Sequence, residues 1–211
     1  MAGGPSIRLY RAELSTNCER VGLALAHKGI EAQSVLISYD DRGPVEAISG
    51  QGLVPVIEDA GEVVNDSVAI LRHLERRWPE PALFPADPAA RAEVDVFIDW
   101  FERVYKAAPN ELEDQLERDD PDERVLERRG AEMRARLDVF ERLLSGREYL
   151  LGDTLGAADC VAYPFLKYAA HRDPDDTELF HVILADEQPL GDDHPNLAAW
   201  IERVGERPLA Y

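Results

Sequence analysis

The chain has 211 residues, which is enough for one large domain or two small ones with a buried core. Its 42 acidic residues exceed its 23 lysines and arginines and give a net charge of −19. Nucleic acids and anionic membranes bind basic surfaces, so this charge argues against both as partners. No apolar run approaches the ~18 residues that a membrane-spanning helix needs.

The cysteine content indicates the compartment and argues against a metal centre. The two cysteines, Cys18 and Cys160, are far apart and have no companions at metal-ligand spacing. We therefore expect no disulfide framework and no metal site, and a reducing cytoplasm as the location. Residues 1–6 contain neither a basic nor a hydrophobic segment, so no signal peptide is expected there.

The first 80 residues have the pattern of a small α/β domain. Residues 7–10 and 35–37 have the composition of strands, and the segment between them has one apolar helical face. Residues 53–64 predict a β-hairpin, and a capped helix is expected around Ser67. The order βαβ, connection, hairpin and helix predicts a mixed sheet.

A second domain is predicted after a proline-rich linker. Four prolines between residues 79 and 88 interrupt regular structure. We therefore place the first domain at residues 1–80, the linker at 81–88 and the second domain at 89–211. Beyond the linker strand patterns nearly vanish and apolar residues recur at helical spacing, so the second domain is predicted to be all-helical.

The first candidate site is the start of the first helix, at Ser15, Thr16, Asn17 and Cys18. The free N–H groups and the positive dipole end of a helix N-terminus favour an anion such as a thiolate. A serine hydroxyl there could donate a hydrogen bond to a bound thiolate and lower its pKa. The alternative is that Ser15, Thr16 or Asn17 only caps the helix, which is the commoner use of these residues.

Two further features point to a ligand with a peptide-like body. Val54-Pro55 begins an apolar strand, where a cis bond would turn the Val54 backbone toward a ligand; an ordinary edge-strand proline is the alternative. Asp66 and Ser67 precede a helix and either cap it or bind, with Ser67 holding a carboxylate and Asp66 an amine. A thiol at one end and an amino acid head at the other describe glutathione.

These segments resemble glutathione transferases over almost the whole chain. The stretch from Leu9 to Leu25 is similar to the first strand and helix of the family, and most similar to the zeta and tau classes, which use a serine at the position of Ser15. Val54–Ile57 followed by Asp66-Ser67 resembles the cis-proline strand and the glutathione motif. The linker, the sixth-helix motif and the final helix of the family resemble residues 83–91, 152–159 and 194–208.

The resemblance implies a thioredoxin-like α/β N-terminal domain plus an all-α helical-bundle C-terminal domain. It implies a glutathione transferase, with glutathione as co-substrate and Ser15 as the catalytic residue that stabilises the thiolate. The implied glutathione-binding residues are Ser15, Leu53, Val54, Asp66 and Ser67, with Pro55 as the cis-proline. Leu53 departs from the family, because many members have Lys or Gln there against the glycyl end of glutathione.

The second substrate is expected to be a small apolar electrophile. Phe97, Phe101 and Tyr105 lie on a helix predicted near Ser15, and their side chains suggest an apolar pocket. A glutathione-dependent isomerase or dehalogenase, such as a maleylacetoacetate isomerase, and a non-catalytic binding module of the same fold stay open as alternatives. The resemblance also implies a homodimer.

Cys18 is interpreted as a cysteine that packs within the first helix, with a role as nucleophile as the alternative.

Overall fold

The computed structural model describes residues 7–211. Residues 1–6, for which no signal peptide is expected, lie outside the described range. The described chain forms two compact units, which we call unit 1 and unit 2. Unit 1 runs to Pro85 and also contains Leu155–Pro164 and Arg207–Tyr211, whereas unit 2 contains Ala86–Thr154 and Phe165–Glu206.

Unit 1 contains a four-stranded mixed sheet. Its elements up to Pro85 are β1 (Ile7–Arg11), α1 (Thr16–His27), β2 (Ala32–Leu36), α2 (Gly43–Ser49), β3 (Val56–Asp59), β4 (Glu62–Asn65) and α3 (Ser67–Arg77). The strand order is β2-β1-β3-β4, with β1 parallel to β2 and the other pairs antiparallel. The predicted βαβ unit, hairpin and final helix are therefore confirmed. The short helix α2 was not predicted.

The hairpin turn explains why β3 and β4 pair so closely. Ala60 and Gly61 both have positive φ angles, 50° and 89°. Two-residue hairpin turns of this kind match the twist of the strands, and glycine adopts a positive φ at little cost. The sheet buries Leu9 and Ile57 completely, and α1 and α3 contribute Leu25 and Leu71 to the same core.

Unit 2 is helical, as predicted. The helices after Pro85 are α4 (Pro88–Trp100), α5 (Ala107–Leu116), α6 (Glu123–Leu144), α7 (Ala157–Leu166), α8 (Leu179–Asp186) and α9 (Pro195–Gly205). A π-helical turn, Phe101–Tyr105, joins α4 to α5. Most of α7 belongs to unit 1. Within residues 7–211, no helix is both long enough and apolar enough to cross a lipid bilayer.

The three aromatic residues predicted to form a substrate pocket lie in the core of unit 2. Phe97 is 7% exposed, and Phe101 and Tyr105 are fully buried. The rings of Phe101 and Tyr105 stack with 4.3 Å between centroids, and both make edge contacts with Phe140 and Phe165. A fully buried ring lines no open pocket, so this arrangement favours a packing role for the three residues.

Candidate active site

Ser15 is the N-cap residue of α1. Its backbone is extended, and its Oγ accepts a hydrogen bond from the Cys18 backbone N–H at 3.3 Å. The side chain is half-buried, so the hydroxyl both caps the helix and stays within reach of solvent. Capping uses a lone pair of the oxygen and leaves the hydroxyl proton to donate to an anion.

The thiol of Cys18 is buried next to the Ser15 cap. Burial raises the pKa of the Cys18 thiol above its ordinary value. The nearby Ser15 hydroxyl and the positive charges of Arg11 and Arg42 oppose this rise in the pKa only in part. Cys18 is 1% exposed and stays protonated near neutral pH, which favours packing over a nucleophilic role.

The backbone at Val54 is open to a ligand. The Val54–Pro55 peptide bond is cis, and β3 begins only at Val56. Within residues 7–211, the backbone N–H and C=O of Val54 have no hydrogen-bond partner. An extended ligand backbone could pair with both groups in the manner of an added strand.

Asp66 and Ser67 form the start of α3. Asp66 has φ 72°, a left-handed conformation that costs a non-glycine residue about 1–3 kcal/mol and is typical of functional sites. Its Oδ1 accepts a hydrogen bond from the Ala69 N–H at 2.9 Å, and the exposed carboxylate can still receive an amine. Ser67 is 5% exposed and lies beside the free N–H groups of the helix end.

Arg20 positions Ser67 from beneath the site. Its side chain is fully buried, and its Nη1 donates to Ser67 Oγ at 3.2 Å. Its Nε donates to the Val161 carbonyl at 3.0 Å, which fixes the guanidinium. The sequence alone does not indicate this role, because Ser67 and Val161 are distant from Arg20 in the chain.

Arg42 is a candidate binding residue that the sequence analysis missed. Its Nη1 is buried and has no hydrogen-bond partner within residues 7–211. The guanidinium lies over the Tyr39 ring at 4.7 Å from the centroid. The side chain also passes close to Gly52, where a Cβ would lie 3.5 Å from Arg42 Cβ. Its positive charge lowers the pKa of the Cys18 thiol, although burial outweighs this effect.

Leu53 has no comparable polar contact through its side chain. The side chain is 76% exposed, and the Leu53 backbone bonds to the Gln51 amide. Arg42, whose side chain passes Gly52, is a cation close to Leu53 in the fold. It could bind a ligand carboxylate, which the apolar Leu53 side chain cannot do. No group of three or more His, Cys, Asp or Glu side chains within residues 7–211 is arranged to hold a metal ion.

The fold and site together define a thioredoxin-like unit with a serine-capped helix N-terminus, accompanied by a helical unit. The family of the Glutathione S-transferase N-terminal domain matches residues 9–82, and that of the Glutathione S-transferase C-terminal domain matches residues 114–208. The chain belongs to the glutathione S-transferase family.

Individual relatives agree with this assignment. The chain is 33% identical over 177 residues to a maleylacetoacetate isomerase from Pseudomonas aeruginosa, covering 79% of this chain and 82% of that protein. It is 29% identical to FtsZ-localized protein A from Caulobacter vibrioides, with 73% of each covered. A crystal structure of a glutathione S-transferase from Rhodospirillum rubrum F11 has a TM-score of 0.74 and 29% identity, covering 96% of this chain and 89% of that one.

Proposed function

We propose that the protein is a glutathione transferase in which the Ser15 hydroxyl hydrogen-bonds the glutathione thiolate. The observation that carries this proposal is geometric: the half-buried Ser15 hydroxyl lies at the N-terminus of α1, where its oxygen accepts from the Cys18 N–H and its proton stays available for an anion. The N-terminus of α1 adds free N–H groups and a positive dipole end to the same place.

The rest of glutathione would extend from Ser15 along unit 1. Its cysteinyl backbone would pair with Val54, as an added strand does. Its γ-glutamyl carboxylate would bind Ser67 and the N-terminus of α3, and its amine would pair with Asp66. Its glycyl carboxylate would bind Arg42, whose buried Nη1 is available for it.

The reaction would be an attack of the bound thiolate on a small apolar electrophile. A new sulfur–carbon bond forms, and the electron pair of the broken bond goes to the leaving group or the adjacent electron sink. Leu14 and Leu53, next to Ser15 and Val54 in the chain, are 43% and 76% exposed and offer an apolar surface. This surface replaces the three buried aromatic residues as our candidate contact for the electrophile.

The test is an ultraviolet titration of glutathione thiolate with the protein between pH 5 and 9. We expect bound glutathione to show thiolate absorbance well below the free thiol pKa of ~8.5, because Ser15 and the helix end stabilise the anion. S-methylglutathione, which has no ionisable thiol, is the blank. Binding of glutathione with an unshifted thiol pKa would contradict the proposal.

Replacing Arg42 with alanine is expected to weaken glutathione binding by about 10- to 100-fold, the loss typical of a hydrogen bond between charged groups. The glycyl monoethyl ester of glutathione has no carboxylate there, so its affinity should be similar for the wild type and Arg42→Ala. Calorimetric titration of both ligands separates the contact from a change in the fold. An equal loss for the ester would contradict this role of Arg42.

A glutathione-dependent isomerase is the second candidate. It is favoured by the 33% identity with the maleylacetoacetate isomerase. The same thiolate would add to a cis-enone and leave after rotation, so glutathione would not be consumed. The ratio of glutathione lost to product formed distinguishes this reaction from conjugation.

A non-catalytic binding module is the third reading. The similarity to FtsZ-localized protein A favours it over other non-enzymatic functions. It would be supported if the protein failed to lower the thiol pKa of glutathione. The homodimer stays a prediction.

A further inference from the structure

A cavity within unit 2 is unrelated to the proposed glutathione site. Its volume is about 470 Å³, and it lies between the end of α5, the first half of α6, and α8. This volume is in the range of small-molecule sites in proteins. None of the residues proposed to bind glutathione lines it.

Half of the residues that line the cavity are apolar. Leu112 and Leu116 contribute from α5, Leu126 from α6, and Val182 and Ile183 from α8. Leu112 and Ile183 are nearly fully buried, whereas Leu116 is 45% exposed, as expected at a mouth. An apolar ligand would remove from water the surface that Leu116, Leu126 and Val182 leave exposed.

Gly130 indicates that one edge of the cavity is built to a specific shape. It lies within the 22-residue helix α6, where glycine is unfavourable. A Cβ on Gly130 would clash with Glu187 Oε2 and would lie 3.1 Å from Arg134 Nη1. Arg134 and Glu187 form an ion pair and both line the cavity. The missing side chain therefore lets this pair lie directly on α6.

The charged groups around the cavity are predominantly acidic. Four carboxylates and two arginines, Arg124 and Arg134, line it, so the lining keeps a net negative charge although Arg124 lies next to Glu123. Glu187 pairs with Arg134 and Asp186 pairs with Arg172, which partly neutralises this side. The carboxylates of the other two, Glu123 and Glu127, form no ion pair within residues 7–211, and their spacing of four places them on one face of α6.

We propose that this cavity is a second ligand site, for a hydrophobic organic cation. The apolar body of the ligand lies against Leu116, Leu126 and Val182, which keep exposed surface, and its positive group lies at Glu123 and Glu127. The net charge of −19 raises the local concentration of cations at the protein surface and therefore also favours a positively charged ligand. The site is independent of the proposed reaction, since the two share no residue.

The probes are tetraphenylphosphonium and tetraphenylborate, a cation and an anion of nearly the same size and shape. Isothermal titration calorimetry on the full chain should show one tetraphenylphosphonium per chain, bound at least about fivefold more tightly than tetraphenylborate. Stronger binding of tetraphenylborate would overturn the choice of a cation.

Variants locate the binding. Val182→Trp fills the cavity, whereas Leu116→Trp blocks its exposed mouth and leaves the core intact. At least one of the two variants should fold, and a folded variant should bind tetraphenylphosphonium about tenfold or more weakly than the wild type. Glu123→Gln/Glu127→Gln should weaken tetraphenylphosphonium binding roughly fivefold, as two exposed charge contacts allow. Asp119→Asn/Asp120→Asn removes the same net charge from nearby exposed positions that do not line the cavity and should change little.

Ser15→Ala should leave tetraphenylphosphonium binding unchanged, whether or not the protein conjugates glutathione. Folded tryptophan variants that bind the cation as the wild type does would overturn the proposal. An equal loss in the two paired acidic variants would also overturn it, because a general charge effect would then explain the binding.

Discussion

Replacing Ser15 with alanine is expected to lower kcat for glutathione conjugation by about 10²- to 10³-fold, the usual effect of removing one hydrogen bond to a reacting anion. The loss should depend on pH in a defined direction. Below the free thiol pKa of ~8.5, only the wild type holds glutathione as thiolate. Above it, solvent supplies the thiolate to both proteins. The ratio of wild-type to variant rates should therefore be largest near pH 6.5 and fall toward pH 9.

Steady-state rates with 1-chloro-2,4-dinitrobenzene as a probe electrophile measure this profile. Ser15→Gly is the matched control, because glycine is nearly as good an N-cap as serine whereas alanine costs about 1 kcal/mol. An equal rate loss in both variants assigns the effect to the hydroxyl rather than to the helix. Full activity of Ser15→Ala, together with its loss in Cys18→Ala, would transfer the catalytic role to Cys18.

The sequence predicted those parts of the fold that depend on local patterns. The β3–β4 hairpin follows from apolar residues on both sides of Ala60-Gly61, and the caps of α1 and α3 follow from Ser15 and Asp66. Helix α2 has no such pattern. It buries only Val45, so no apolar stripe marks it in the sequence. The helix ends at Gly50, which has a left-handed conformation.

The direction of the aromatic side chains in unit 2 could not be read from their spacing. Phe97 and Phe101 recur as a helix requires, but periodicity does not tell whether the shared face meets a pocket or the core. The π-helical turn at Phe101–Tyr105 then stacks the Phe101 and Tyr105 rings on each other. That turn depends on packing against α6, from which Phe140 contacts the rings.

Arg42 was missed for a different reason. Its sequence neighbours, Asp41 and Gly43, form a polar loop of ordinary composition. Only the folded chain brings the stem of its side chain beside Gly52 and its charge within reach of Cys18. A candidate residue at a helix end, which no apolar periodicity marks, therefore becomes visible only through burial and unpaired polar atoms.

Replacing Glu75 with glutamine is expected to reduce the free energy of unfolding by about 3–5 kcal/mol, because it leaves a buried charge without its partner. Glu75 Oε2 accepts from Lys28 Nζ at 2.8 Å, and the Lys28 side chain has no exposed surface. The same carboxylate accepts from the backbone N–H of Leu83 and of Phe84. A glutamine can satisfy only part of this set, since its amide nitrogen is itself a donor.

The measurement is urea denaturation followed by far-ultraviolet circular dichroism. Asp99→Asn is the matched control, because it breaks the exposed Asp99–Arg103 ion pair on the surface of a helix. It should cost less than about 1 kcal/mol. The double variant Lys28→Met/Glu75→Gln removes the unpaired charge and should be more stable than Glu75→Gln alone. A loss in Glu75→Gln as small as that in Asp99→Asn would show that the Trp78 and Pro81 carbonyls, which also accept from Lys28 Nζ, suffice to hold the Lys28 charge without Glu75.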